Sequence, residues 1–193
     1  MTVVAKALRR RDPITSLVWM GGAVAAGGNM TAAAEFDAWM DPAAADEVLT
    51  SGLPVAMVPL DLTASCRWSR EDLAALAALG PVGALLSRPV GALCARDGGF
   101  VPHDAVTAIA LLEPARLSWS ERHVCCERAG SVTTGATVVD RRHHAPPPNA
   151  RLAEGCDPVE IRAAIFAAIA KLAGGASPGA PSSAGVVGVD AVR

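Results

Sequence analysis

The sequence predicts an open α/β fold with a mostly parallel sheet and helices on both faces. Two short runs, Leu17–Met20 and Pro54–Leu60, are almost wholly apolar at consecutive positions, the pattern of strands covered on both sides. Each run is followed by a segment with helix-start signals. Strand, helix, strand, helix is the order that crossover connections between parallel strands require.

The elements follow in order. Leu17-Val18-Trp19-Met20 is a buried strand stopped by Gly21-Gly22, and a polar loop carrying Asn29, Glu35 and Asp37 comes next. Asp41 reads as an N-cap and Pro42 as the first residue of a helix that runs to Thr50, before Gly52. Pro54–Leu60 is the second strand, with Pro59 marking the end of its ladder. Ser69 and Asp72 have capping-box spacing, Leu73, Leu76 and Leu79 form an apolar stripe, and Gly80-Pro81 ends that helix. A loop over 96–102 leads to a helix opened by His103-Asp104, with Val106, Ile109, Ala110 and Leu112 facing inward and Pro114 stopping it. Residues 123–127 and 133–139 read as two strands turning at Gly130, and 143–149 as a loop. The last helix has Asp157 as cap, Pro158 at its start, and Ile161, Ile165, Ile169 and Leu172 along one face. From 174 a Gly/Ala/Ser/Pro-rich tail has too little to bury and is expected to be disordered.

The 193 residues, 51% hydrophobic and 19% charged, suit one domain with a sizeable core. A net charge of −2 leaves no footprint for nucleic acid or an anionic membrane. Arg9-Arg10-Arg11 is read as a solvated helix end. The longest apolar stretch, 17–26, is broken by two glycines and is shorter than the roughly 20 residues a membrane span needs. The five cysteines, at 66, 94, 125, 126 and 156, make no CxxC pair and are read as reduced, mostly buried thiols. A cytoplasmic protein is expected.

Chemistry could sit in three places. The 28–37 loop follows a strand's carboxyl end, where open α/β sheets place ligands. Its Asn29, Glu35 and Asp37 could hydrogen-bond a polyol, or could simply make turns and caps. His103-Asp104 starts a helix, where a carboxylate is electrostatically favoured and could meet a hard cation. The imidazole beside it could move a proton near neutral pH, and a plain helix cap is the alternative. His143-His144, beside three prolines, reads as a polar loop.

Met20-Gly21-Gly22-Ala23, Gly28-Asn29, Glu35-Phe36-Asp37, Asp41-Pro42, Ala44-Ala45 and 57–63 (MVPLDLT), then His103-Asp104-Ala105, Asp140-Arg141-Arg142 and Pro148-Asn149, stand in order. Together they resemble the inosine/uridine-preferring nucleoside hydrolase family, over roughly residues 5 to 172. The resemblance implies hydrolysis of ribonucleosides to ribose and free base with the help of Ca²⁺. It implies His103 as the acid that protonates the leaving base, Asp104 as a calcium ligand, and Asn29, Glu35 and Asp37 as ribose contacts. It further implies a homo-oligomer, and a complementing subunit is the alternative partner. The family's Glu-Phe-Asn is here Glu35-Phe36-Asp37, an acceptor-only carboxylate in place of an amide. The family's N-terminal Asp-x-Asp-x-x-x-Asp-Asp run does not occur in the chain. Residues 1–173 are therefore expected to form an N-terminally truncated hydrolase domain with an exposed apolar sheet edge, inactive by itself. A non-catalytic ribose-binding or subunit-interaction module is the alternative.

Overall fold

The computed structural model describes residues 1–173. The expected tail, 174–193, lies outside the described residues. The chain opens with α1 (Thr2–Arg9), which carries the basic run at its carboxyl end, where cations complement the helix dipole. β1 (Leu17–Met20) follows. The loop after it ends in a short helix, α2 (Phe36–Met40), whose N-cap is Glu35. α3 (Pro42–Thr50) starts as expected, with the Asp41 carboxylate accepting from the Ala44 amide.

β2 (Val55–Val58) is shorter than its apolar run because Pro59 breaks the ladder and Leu60 begins α4 (Leu60–Thr63). A 3₁₀ turn, Ala64–Cys66, continues α4. The Ser69–Asp72 capping box opens α5 (Arg70–Ala77) with both reciprocal bonds in place. Gly80-Pro81 ends α5 and also starts α6 (Pro81–Asp97), so most of the expected 96–102 loop begins only after a further helix.

α7 (His103–Leu112) is the helix the sequence indicates, although Leu112 at its end is 71% exposed and does not face inward. β3 (Leu117–Cys126) begins earlier than the expected His123. It turns into β4 (Thr137–Asp140), with Cys126 opposite Thr137. Residues 133–136 belong to the turn and not to a strand, because the Glu127 carboxylate accepts from Ala129 and Gly130 and Gly135 takes a left-handed conformation. β5 (Ala150–Cys156) and α8 (Pro158–Ala173) complete the fold. The Ile161 and Ile165 side chains of α8 are buried, but Leu172 is exposed.

The strand order is β1-β2-β5-β3-β4. β1, β2 and β5 run parallel, and β3 and β4 add an antiparallel hairpin, which makes an open mixed sheet. Helices cover both faces. Ala5, Ala44, Ala45, Val48 and Leu49 of α1 and α3 pack with Trp19, Val55, Met57 and Leu152 on one side. Leu73, Leu76, Val106, Ile109, Ile161 and Ile165 pack with Val58, Leu117 and Ala153 on the other. Alternate residues of each strand serve opposite cores, which is why both strands read as unbroken apolar runs. β1 is an edge strand on which Trp19 is buried while Leu17, Val18 and Met20 are half-covered.

Candidate functional site

The site lies beyond the carboxyl ends of β1 and β2. Gly22 leaves β1 with φ +78°, and a Cβ there would meet the Met57 side chain at 2.3 Å and the Thr137 hydroxyl at 2.7 Å, so only glycine fits without displacement. The chain after it is held by side chains from elsewhere. The Gly22 amide donates to Glu35 at 2.8 Å. Ala23 exchanges both backbone groups with the Thr137 hydroxyl, at 2.9 and 2.8 Å. The Asp61 carboxylate accepts from the amides of Val24, Ala25 and Ala26 at 2.7–2.9 Å.

Glu35 is the centre of this arrangement. It is 2% exposed, and besides Gly22 it accepts from the amides of Asp37 and Ala38 at the start of α2. Its charge faces three amides and the positive end of a short helix. Asn29, on the exposed side of the loop, accepts from the Phe36 amide at 2.9 Å, leaving its NH₂ group to donate outward. Asp37 is exposed. Partial burial of its carboxyl pushes its pKa up and the Glu35 charge pushes it further, the N-terminal amine pulls against them, and Asp104 adds the smallest upward push.

α7 brings in the other half. Asp104 is exposed in its first turn, and His103 is half-buried, with Nδ1 2.7 Å from the hydroxyl of Thr63 at the end of α4. The Thr63 hydroxyl in turn reaches the Pro59 carbonyl at 3.3 Å. A threonine that donates to Pro59 accepts from Nδ1–H. Burial lowers the His103 pKa, while Asp104 and Glu35 pull it upward.

Asp37 feels the charges of Glu35 and Asp104, and His103 those of Asp104 and Glu35, with Asn29 on the loop that carries Glu35 and Asp37. Beside His103 and Asp104 opens a mainly apolar cavity of about 380 Å³, with Trp68, Phe100 and Pro102 among its walls. A larger cavity of about 710 Å³ lies at the opposite, amino ends of the strands, against Leu17, Pro54 and Ala150, and includes none of these groups. His143 and His144 are exposed on their loop, rings 4.8 Å apart, away from the cluster.

Sequence reasoning gave no role to Asp61, Thr63 or Thr137. The first two stand in the 57–63 motif, but an aspartate and a threonine after a strand carry no local sign of the distant partners they hold.

Among the described residues no group of three or more His, Cys, Asp and Glu side chains is arranged to hold a metal ion. Asp104 alone offers far fewer than the roughly six to eight oxygens that calcium takes. The residues present do not make up a calcium site.

Residues 1–163 match the sequence model of the family described as inosine-uridine preferring nucleoside hydrolase. An uncharacterized Schizosaccharomyces pombe protein is 38% identical over 152 residues, 72% of this chain and 49% of its own length. The pyrimidine-specific ribonucleoside hydrolase RihA of Salmonella enteritidis is 38% identical over 135 residues, 66% of this chain and 43% of its own length. Among solved structures, the purine-preferring ribonucleoside hydrolase from Gardnerella vaginalis superposes with a TM-score of 0.75 at 26% identity, covering 88% of this chain and 58% of that one. The chain therefore spans about half the length of the curated relatives it matches. The match over residues 1–163 establishes that this chain belongs to the inosine-uridine preferring nucleoside hydrolase family.

Proposed function

We propose that this chain supplies the ribose-holding and proton-donating half of an enzyme that hydrolyses the N-ribosidic bond of ribonucleosides. What supports the reading is that the 29–37 loop follows the carboxyl end of β1, that Asp37 feels the charge of Asp104, and that His103 feels the charge of Glu35. In this reading Asn29 donates to, and Asp37 accepts from, ribose hydroxyls at the mouth of the site. Glu35 lies beneath them, and its carboxylate shapes the loop that presents both. Holding the sugar positions C1′ for attack by water through an oxocarbenium-like transition state.

As the bond to the base breaks, the leaving nitrogen gains electron density and takes a proton. In this reading His103 gives it from Nε2 as the imidazolium, with Nδ1–H held by Thr63. The apolar cavity beside His103 gives a planar base a place to lie. Asp104 is the one carboxylate placed to contact a calcium ion, and the other ligands and the base that activates water are not among the chain's described residues. A complementing polypeptide or segment carrying the family's aspartate run would supply them. Free thiols at all five cysteines fit a reducing, cytoplasmic setting.

The test is ribose release from inosine and uridine by the chain alone and by a chimera that joins to it an N-terminal segment carrying the family's aspartate run. The chain alone should release almost none. The chimera should be active with calcium and lose about 10²-fold or more on His103→Ala. A chimera whose activity ignores that substitution contradicts the role given to His103.

The open edge of β1 supports a second reading, a non-catalytic subunit that docks through this strand. Stable association with the aspartate-bearing segment in light scattering, without nucleoside hydrolysis, would favour it.

A further inference from the structure

Cys66 and Cys156 are 90 positions apart in the chain, yet their sulfurs lie 3.6 Å from each other. Cys66 ends the 3₁₀ turn that continues α4, and Cys156 is the last residue of β5. Cys66 is 2% exposed, with the Ser65 hydroxyl 3.8 Å from its sulfur, whereas Cys156 is only half-buried. Neither takes part in the proposed chemistry, although Cys66 lies three residues beyond Thr63, the partner of His103.

We propose that Cys66 and Cys156 form a thiol-oxidation site, in which a peroxide converts the pair to a disulfide that ties the Thr63 turn to the end of β5. To bond, the sulfurs must close from 3.6 Å to the roughly 2.05 Å of a disulfide. The two thiols have unequal parts. The hydrogen bond from Cys66 draws the Cys156 thiol downward, against burial and the Asp157 charge, which favours its thiolate. The same pairing and deep burial push the Cys66 thiol upward. Cys156 is the accessible nucleophile and Cys66 the resolving thiol.

The steps balance. The Cys156 sulfur attacks one oxygen of hydrogen peroxide, the O–O bond breaks, and the departing hydroxide takes up the proton that Cys156 gave up, leaving water and a sulfenic acid. The Cys66 sulfur then attacks the sulfenic sulfur and the S–O bond breaks. The hydroxide released takes the Cys66 proton as a second water. Two thiols lose two electrons and the peroxide gains them.

The experiment treats the purified full chain with one equivalent of hydrogen peroxide, alkylates the remaining thiols and maps peptides by mass. The expected result is a 66–156 linked pair with the other three cysteines still alkylated, and a melting temperature raised by about 5 °C that dithiothreitol reverses. Cys66→Ser should stop the reaction at a Cys156 sulfenic acid that a dimedone-type reagent traps, and Cys156→Ser should leave Cys66 reduced. The proposal is overturned if peroxide links Cys125 or Cys126 instead, or if Cys156 goes to the sulfinic acid while Cys66 stays alkylatable.

Discussion

The hydroxyl of Thr63 and Nδ1 of His103 stand 2.7 Å apart, joining the end of α4 to the start of α7. The contact links two segments 40 positions apart.

For His103, burial dominates and holds the pKa below its usual 6.5, while Asp104 and Glu35 oppose it. The folded protein therefore resists protonation that the unfolded chain accepts. Stability should fall as pH drops through about 6.5 towards the folded value and level off below it. Denaturant melts across this window should show the fall, and His103→Gln should remove it. Two-dimensional NMR titration should place the midpoint below 6.5, and Asp104→Asn should move it lower still.

Glu35 should be the most costly loop residue to change. Glu35→Ala leaves the amides of Gly22, Asp37 and Ala38 without their acceptor. Removing a charged acceptor from buried donors costs about 2–3 kcal/mol. Urea unfolding should report that loss, with Asn29→Ala costing much less because Asn29 is exposed.

Asp37 behaves in the opposite sense. Its raised pKa means that the folded state binds a proton the unfolded state releases, so its unfavourable share fades as pH falls through the folded value and is gone below the unfolded one. Asp37→Asn should stabilise the chain at pH 7 by roughly 0.5 kcal/mol after solvent screening and have no stabilising effect near pH 3. Thermal melts at the two pH values check both halves.

Gly22→Ala combines a left-handed backbone with a Cβ driven onto Met57 and Thr137. A loss of about 2 kcal/mol or more is expected. Gly52→Ala, also at positive φ but with nothing within 4 Å of the new carbon, should cost less in the same melt.

The legible parts of this fold are those written in local chemistry. β1 and β2 show as apolar runs, and α3, α5 and α8 as caps followed by a periodic face. What escaped depends on distant partners. β5 lies between β2 and β3, yet its ARLAEGC sequence is built from small and charged residues that pass for a loop. α6 contains Pro89, Gly83 and Gly91, which locally argue against a helix, and it is held by packing with α5 and α8. α2 exists because Glu35 caps it, and the same carboxylate reads in sequence only as a polar loop residue. The candidate residues themselves were legible through motif order. Their mutual position was not, since it depends on Thr63, Asp61 and Thr137 reaching across the sheet's end.

The most direct test is titration of ribose into the isotopically labelled chain, followed by NMR. Signals of Asn29, Asp37, Phe36, His103 and Asp104 should shift together along one binding curve, and the curve should weaken in Asp37→Ala. Shifts confined to the cavity around Leu17, Trp119 and Arg151, or separate curves for the 29–37 loop and the 103–104 turn, would contradict a single ribose site.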